Sequence, residues 1–352
     1  MARVCILCKD GERTIMKKIL MIGTGGTIAS EATANGLAPE LTSQQLLSHV
    51  PGISAICDVD CIQLLSLDST NITPTHWLKI ARCIEDNYRE YDGFVITHGT
   101  DTMAYTAAGL SYLVQGSPKP IVLTGAQKPI GFDSTDSKVN LLDAFRVAAE
   151  DMPGVNIVFN GRVILGTRAQ KTRSKSFHAF SSINYPYLGV LRDGVLLPYV
   201  KQDAGETPVF FRNLNSQVAL LKLAPGAGHE VLDFILERNQ AIIIESFGVG
   251  GLPEAGGFYE SVCKWMEKGR TVVLTTQVQN EGSDLTVYQV GQRLKTTLGV
   301  LEAYDMTTES AYAKLMWILA KTSDPQEVKE MFYTPVGRDI LWPRERAMAE
   351  NP

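Results

Sequence analysis

The stretch YDGFVITHGTDTMAYTA, residues 91–107, decides the fold. Its apolar run FVI stops abruptly at the turn HGTD, residues 98–101, and a helical pattern with an apolar face from Met103 to Val114 begins directly afterwards. A hydroxyl and a carboxylate therefore stand side by side where a strand ends and a helix starts. Ligands of α/β sheets bind at the carboxyl edge of the strands. We therefore expect Thr100 and Asp101 to belong to a functional site.

A second turn of small residues, GTGGTIAS at 23–30, follows the strand-like run KILMI at 18–22. It contributes two further threonine hydroxyls, those of Thr24 and Thr27, to the same kind of position. Two hydroxyl-bearing turns on one sheet edge favour acyl-transfer chemistry over a scaffold role.

The rest of the chain alternates strand-like and helical patterns, which predicts an α/β fold with a mostly parallel sheet flanked by helices. In the first part, strands are predicted at 18–22, 61–67, 94–97, 120–124 and 155–160, and helices at 74–89, 102–115 and 137–150. Thr73-Pro74 is a typical helix opening, a capping hydroxyl followed by proline.

The alternation lapses over 201–216, where KQDAGETPVFFRNLNS is polar and contains Gly and Pro, as a linker does. We therefore predict a larger N-terminal domain over 17–200 that carries most of the site, and a smaller C-terminal α/β domain over 217–340. Its predicted strands are 217–223, 241–245 and 271–276, and its predicted helices are 228–237, 257–268, 308–320 and 325–332. Residues 1–15 lack periodicity and precede Met16, a plausible start, so we expect a leader without regular structure.

The composition bounds the function class. The chain has 352 residues, 45% hydrophobic and 20% charged, with a net charge of −5 and no block of like charges. Such a chain is long enough to bury a full core, and its charge disfavours a nucleic-acid or anionic-membrane partner. No apolar run approaches the ~18 residues of a membrane span, and no secretory signal is visible, so we expect a cytoplasmic protein.

Several common catalytic and cofactor motifs are absent. The glycine turn departs from the dinucleotide pattern at Ile28, and His229-Glu230 lacks the second histidine of a zinc-protease helix. There is no phosphate-binding G-x-x-x-x-G-K-[ST] loop and no G-x-S-x-G elbow. The pair Cys5-x-x-Cys8 has no second half. These patterns therefore give no indication of a nucleotide site or of a zinc-protease site.

What remains is a threonine-based amidase or ligand site. A threonine hydroxyl is a poor nucleophile without a positioned base, and a lysine held by a carboxylate can serve as one. Lys171, in GTRAQKTRSKS, is the candidate. Lys171 could instead belong to a solvated basic stretch. His98 could likewise be a structural histidine in a tight turn.

Seven motifs resemble those of the bacterial L-asparaginases, most closely the intracellular type I branch. They are TGGTIAS (24–30), DST (68–70), DGFVITHGTDTMAYTA (92–107), PIVLTGAQ (120–127), FSSINYP (180–186), GVGG (248–251) and DMTTESAYAKLMW (305–317). The resemblance runs from about residue 17 to 335. It implies hydrolysis of L-asparagine to L-aspartate and ammonia through a covalent threonyl intermediate, without a metal or an organic cofactor. It also implies a homodimer or homotetramer.

The resemblance also implies individual roles. Thr27 is the expected nucleophile, and Thr100, Lys171 and Asp101 form the expected proton-handling triad. Asp101 also has the family's position for binding the α-ammonium group of the substrate. The expected contacts of the α-carboxylate are Asp68, Ser69 and Thr70, and the Ala126 backbone matches an element near the amide and the oxyanion.

Two departures from the family pattern bear on mechanism and regulation. Many relatives carry a tyrosine on the loop after TGGTIA, where this chain has Leu37 in EATANGLAPELT (31–42). Some type I enzymes carry a cysteine of an asparagine effector site where this chain has Val278. Two other functions stay open: the amidase subunit of a glutamyl-tRNA amidotransferase, which the acidic balance disfavours, and an inactive amino-acid sensor.

Overall fold

This computed structural model describes residues 5–7, 13–33, 36–254 and 256–341. The chain divides into two compact units, the first comprising residues 1–182 and 186–212 and the second residues 183–185 and 213–352. Each unit contains a sheet and helices, which confirms the predicted α/β class with a larger N-terminal and a smaller C-terminal sheet domain.

The strands of the first unit are β1 Cys5–Leu7, β2 Arg13–Ile15, β3 Lys18–Gly25, β4 Ser30–Thr33, β5 Gly36–Pro39, β6 Asp58–Leu67, β7 Gly93–Thr97, β8 Val114–Gln115, β9 Pro120–Thr124, β10 Gly154–Phe159, β11 Arg162–Leu165, β12 Ala169–Lys171, β13 Phe180–Ser182, β14 Gly189–Arg192, β15 Val195–Pro198 and β16 Val209–Phe210. Its helices are α1 Ser43–Ser48, α2 Pro74–Asn87, α3 Met103–Leu113 and α4 Ser137–Ala149. Short 3-10 turns cover Thr27–Ala29, Pro51–Ala55, Ser69–Asn71 and Gly166–Arg168.

Eight of these strands form one sheet in the order β15-β14-β11-β10-β9-β7-β3-β6. From β10 to β6 the neighbours are parallel, whereas β10, β11, β14 and β15 pair antiparallel. The central strands β7 and β9 are buried along their whole length because helices cover both faces of a parallel sheet. The prediction of a mostly parallel sheet holds for this central part, and the antiparallel extension was not predicted.

Helix α2 begins where the sequence predicts. Pro74 occupies the first turn, and the Thr73 N–H donates to His76 Nδ1 over 3.0 Å. Helix α3 is buried on almost every side, with small residues where neighbours come close. At Gly109 an added Cβ would lie 2.6 Å from the Trp77 ring, so a side chain there would separate α2 from α3.

The second unit has a four-stranded sheet in the order β17-β18-β19-β20, all parallel. Its elements are β17 Val218–Lys222, α5 Glu230–Leu236, β18 Ala241–Ser246, α6 Phe258–Glu267, β19 Thr271–Thr276, α7 Gln289–Arg293, β20 Leu301–Glu302, α8 Thr308–Leu319 and α9 Pro325–Tyr333. A π-helical turn, Leu294–Leu298, continues α7. The core between sheet and helices includes Ile242, Ile244, Leu274, Phe258 and Trp265.

A buried ion pair closes the end of the second unit. Lys314 Nζ on α8 lies 2.7 Å from Asp339 Oδ2, with both side chains inaccessible to solvent, and it donates to the Thr334 carbonyl oxygen. The pair ties α8 to the segment that follows α9. Across the described ranges of both units, every helix is too short or too polar to cross a membrane.

Two segments differ from the expectations. Residues 5–7 pair antiparallel with residues 13–15, although the leader was expected to lack regular structure; Ile6, Thr14 and Ile15 are β-branched and favour strands. Residues 1–4 and 8–12 lie outside the described part.

The predicted linker 201–216 is also partly structured. Val209 and Phe210 pair with β8, and the Phe210 ring lies 5.4 Å from the Tyr88 ring. Arg212 forms a 2.5 Å ion pair with Glu85. The polar composition of the window conceals this short apolar run, which packs on the first unit.

Candidate active site

Four turns of the first unit meet at the carboxyl edge of its parallel strands. They follow β3, β6, β7 and β9 and comprise Gly25–Thr27, Asp68–Thr70, His98–Asp101 and Gly125–Gln127. The register aligns these ends, since Thr97 lies opposite both Gly23 and Thr124. Parallel strands present their carboxyl ends at the same edge, so residues distant in sequence gather there.

Glycines allow three of these turns to touch. A Cβ on Gly26, whose φ is 82°, would overlap the backbone of Gly99. A Cβ on Gly99 would lie 2.6 Å from both Cβ and Oγ of Ser69. Only glycine fits this close approach of backbones. Thr27 and Thr100 each follow one of the two touching glycines, so the fold brings the two threonine segments together.

Lys171 reaches this edge from the hairpin of β12 and β13, in which it pairs with Phe180. Its Nζ lies 2.8 Å from Thr100 Oγ1 and 2.6 Å from Asp101 Oδ1. The Lys171 side chain is 17% exposed and that of Asp101 55%. The alternative of a solvated basic stretch therefore describes the exposed Arg173 and Lys175, but not Lys171.

Thr27 opens the 3-10 turn 27–29 and is half-buried. Ser69 is 3% exposed and links two of the turns. Its Oγ accepts the Asp101 N–H over 3.3 Å, and its carbonyl oxygen accepts the Thr102 hydroxyl over 2.7 Å. The structure thus places Ser69 beside Asp101, although the two are far apart in the chain.

Asp68 and Thr70 are exposed and bound to each other. Asp68 Oδ1 accepts the Thr70 hydroxyl over 2.7 Å and the Thr70 N–H over 2.8 Å. These hydrogen bonds hold the pKa of the Asp68 carboxyl below its usual range, chiefly through the hydroxyl. Asp68 is therefore ionised at neutral pH.

Ala126 is fully buried in the turn after β9, and the sequence did not reveal what fixes this turn. The Asp136 carboxylate accepts the N–H groups of Gln127 and Lys128 over 3.0–3.1 Å. Asn140 donates to the same carboxylate and to the Gly125 carbonyl oxygen. The quoted motif PIVLTGAQ contains Gln127, but nothing in the polar stretch 131–138 identifies Asp136 as its anchor.

His98 is fully buried, and both ring nitrogens have partners. Nδ1 lies 2.7 Å from the Gly99 carbonyl oxygen and Nε2 lies 2.9 Å from Thr106 Oγ1. Burial lowers the pKa of His98 to about 4, so the ring is neutral near pH 7. These contacts support its interpretation as a structural histidine of the turn.

Leu37 and Val278 are the two positions at which the chain departs from the family pattern. Leu37 belongs to β5, which pairs with β4, and its side chain lies outside the described part. Val278 is exposed in the second unit. No group of three or more His, Cys, Asp or Glu side chains in the described ranges is placed to hold a metal ion.

Comparison with known proteins identifies the family. Residues 18–202 match the asparaginase N-terminal domain, and residues 217–332 match the glutaminase/asparaginase C-terminal domain. The chain belongs to the asparaginase family. This confirms the predicted superfamily and the predicted kind of enzyme, an amidohydrolase of the asparaginase type.

Individual relatives cover nearly the whole chain. It is 37% identical to the L-asparaginase of Thermococcus kodakarensis over 326 residues, 92% of this chain and 99% of the relative, and the structure of the thermostable L-asparaginase from that organism superposes with a TM-score of 0.86. L-asparaginase I of Vibrio cholerae superposes with a TM-score of 0.82 at 30% identity over 93% of this chain and 99% of the other. The chain is also 34% identical to a subunit of the glutamyl-tRNA(Gln) amidotransferase of Pyrococcus furiosus, over 93% of this chain and 78% of that relative.

Proposed function

We propose that this protein hydrolyses L-asparagine to L-aspartate and ammonia through an ester on Thr27. The observation that carries the proposal is the position of Lys171 Nζ, which bridges Thr100 Oγ1 and Asp101 Oδ1 at the edge where the Gly26 and Gly99 turns touch. This supplies a hydroxyl, a proton carrier and a carboxylate next to the segment of the nucleophile. Such a set of groups is what activation of a threonine requires.

In the first half of the reaction, Thr27 Oγ attacks the side-chain amide carbon of asparagine. The hydroxyl proton passes through Thr100, held by Lys171, to the departing nitrogen. The carbon–nitrogen bond breaks, ammonia leaves, and an aspartyl ester remains on Thr27. In the second half, water attacks the ester carbon, its proton returns to Thr27 by the same route, and aspartate leaves.

Recognition of the zwitterion uses the same turns. Asp101 engages Lys171 through Oδ1, so Oδ2 serves the α-ammonium group. Ser69 accepts the Asp101 N–H and keeps its own proton for the α-carboxylate. The ionised Asp68 would repel a carboxylate, so we assign it, with Thr70, to holding the turn. The Ala126 backbone lies in the turn that we place beside the oxyanion.

The second candidate is an amidase subunit that supplies ammonia for a tRNA-linked glutamate. The 34% identity to an archaeal amidotransferase subunit favours its consideration. The two functions differ in whether free asparagine is turned over without tRNA. A third outcome, an inactive sensor, would bind asparagine without releasing ammonia.

One assay separates these outcomes: ammonia release from L-asparagine and from L-glutamine, each with and without glutamyl-tRNA. The proposal predicts turnover of free L-asparagine that tRNA does not change. Turnover that depends on glutamyl-tRNA would support the amidotransferase role instead. The absence of turnover, with asparagine binding seen by calorimetry, would indicate the sensor.

We further propose a cytoplasmic enzyme of the type I branch that forms a homodimer or homotetramer and needs no metal or cofactor. The likeness to L-asparaginase I of Vibrio cholerae supports the branch. Light scattering on the purified protein measures the oligomer. Activity that survives dialysis against EDTA is the expected result for a site whose proposed groups are hydroxyls, a lysine and a carboxylate.

A further inference from the structure

The Thr100 hydroxyl has a second neighbour besides Lys171. Thr100 Oγ1 lies 3.2 Å from Gln127 Oε1, at the end of the turn that follows β9. The other end of the Gln127 amide, Nε2, lies 3.1 Å from the carbonyl oxygen of Ser176, on the loop between β12 and β13. Gln127 therefore connects Thr100 to the hairpin that carries Lys171.

The direction of each of these hydrogen bonds follows from what each group can do. The Ser176 carbonyl oxygen only accepts, so the NH₂ group of Gln127 faces it and the amide oxygen faces Thr100. A lysine ammonium only donates, so Thr100 Oγ1 accepts from Lys171. The single hydroxyl proton of Thr100 is then donated to Gln127 Oε1. One lone pair of Thr100 Oγ1 has no partner in the described part of the chain.

The backbone of Gln127 is fixed as firmly as its side chain. Its N–H donates to both oxygens of Asp136 over 3.0–3.1 Å, and Asn140 donates to the same carboxylate. The amide cannot turn over without losing the Ser176 bond and facing the Thr100 proton with its own NH₂ group. The network thus favours one orientation of the Thr100 hydroxyl.

We infer that Gln127 is a positioning residue for the reaction proposed above, on which this inference rests. By accepting the Thr100 proton in the resting site, it keeps one lone pair of Thr100 directed toward the Thr27 hydroxyl or the attacking water. As that lone pair takes a proton, Thr100 releases one in the same step, to the departing nitrogen in the first half of the reaction and to Thr27 in the second. Gln127 itself exchanges no proton. Its removal frees the hydroxyl to point its proton at the incoming donor, which slows proton transfer without weakening the contacts of the zwitterion.

The experiment uses two substitutions and a matched control. Gln127→Met removes both hydrogen bonds with little change in volume. Gln127→Glu restores both when the carboxyl is neutral, since its C=O accepts from Thr100 and its O–H donates to Ser176, but the ionised form cannot donate. The control is Gln202→Met, the same substitution at a glutamine away from the site. The Gln202 amide donates to Asn156 in the same unit, near Gly154 at the amino end of β10.

For asparagine hydrolysis we expect Gln127→Met to lower kcat roughly 10- to 100-fold, a part of the effect of a general base, with KM within about threefold of wild type. The ratio of Gln127→Glu to wild-type kcat should rise as the pH falls from 7 to 4, through the usual glutamate pKa of about 4.3, while the Gln127→Met ratio stays flat. Gln202→Met should keep kcat within about twofold.

Three results would overturn the inference. The first is a Gln127→Met enzyme with wild-type kcat, and the second is a loss that falls on KM alone. The third is a ratio of Gln127→Glu to wild-type kcat that does not change with pH. This third test is the deciding one if Gln127→Met melts at a much lower temperature than wild type, because the loss of activity in that variant could then reflect misfolding. Wild-type enzyme that releases no ammonia from asparagine would instead refute the proposed function, and the inference with it.

Discussion

At the residue scale, the proposed reaction depends strongly on Lys171, because its Nζ contacts both the Thr100 hydroxyl and the Asp101 carboxylate. Lys171→Met should lower kcat by roughly 10²–10⁴-fold, the range of general acid–base catalysis. Lys171→Arg should recover little, because a larger, planar guanidinium cannot place a single donor atom between Thr100 Oγ1 and Asp101 Oδ1 as the Lys171 ammonium does. Steady-state kinetics measure both.

The matched control for Lys171 is Lys175→Met, on the same hairpin loop but exposed. It should keep wild-type activity. A fully active Lys171→Arg enzyme would mean that the site needs only the positive charge of the side chain and not the single ammonium that bridges Thr100 and Asp101.

The burial of His98 makes the stability of the protein depend on pH. Its pKa is about 4 in the folded protein and ~6.5 when unfolded, so below pH 6.5 the unfolded state binds more protons. The stabilisation from a neutral His98 is complete above pH 6.5 and is lost as the pH falls toward 4. Between pH 7 and pH 5 this amounts to about 2 kcal/mol. Urea unfolding at both pH values should show this loss in wild type and not in His98→Gln; equal pH dependence in the two would contradict the assignment.

At the element scale, the turn after β9 depends on Asp136, which is 8% exposed and accepts from Gln127, Lys128 and Asn140. Asp136→Ala leaves these donors without their acceptor and should lower the free energy of unfolding by about 3 kcal/mol. Asp133→Ala, an exposed aspartate of the same loop, should change it by less than ~0.5 kcal/mol. Chemical denaturation compares the two, and equal effects would show that Asp136 does not anchor the turn.

The same scale shows which features are accessible from sequence. The ends of β7 and β9 follow from apolar, β-branched runs that stop at Gly99 and Gly125, so the hydroxyl-bearing turns can be placed on a sheet edge. The contact of Lys171 with Thr100 spans 71 positions and depends on how the short strands β12 and β13 pair. No local pattern encodes such a pairing, so this contact was expected only through the family resemblance.

The residues that hold the turns of the site in place are harder still to predict from sequence. Asp136 lies in a polar stretch that reads as an ordinary loop, and its role depends on three donors that only the folded chain brings to it. The antiparallel strands β14 and β15 are short and partly exposed, so their periodicity is weak. Local sequence specifies elements, whereas burial and long-range pairing specify the contacts that orient side chains.

At the scale of the whole molecule, we predict that residues 1–15 are dispensable. Their strands β1 and β2 pair with each other, and β3 begins after Met16 at Lys18. A chain that starts at Met16 should match the full chain in asparagine turnover and in melting temperature. A drop of more than about 5 °C would mean that this segment stabilises the rest of the protein by around 1–2 kcal/mol.

The central claim is that the whole chain is an asparagine amidohydrolase whose nucleophile is Thr27. The most direct measurement is the rate of ammonia release from L-asparagine by wild type and by Thr27→Ala, with equal melting temperatures as the check on folding. We predict sustained release by wild type and a kcat lower by roughly 10³–10⁶-fold in Thr27→Ala, the range for a lost nucleophile. Survival of more than about a tenth of the activity in Thr27→Ala, or no release by wild type, would contradict the claim.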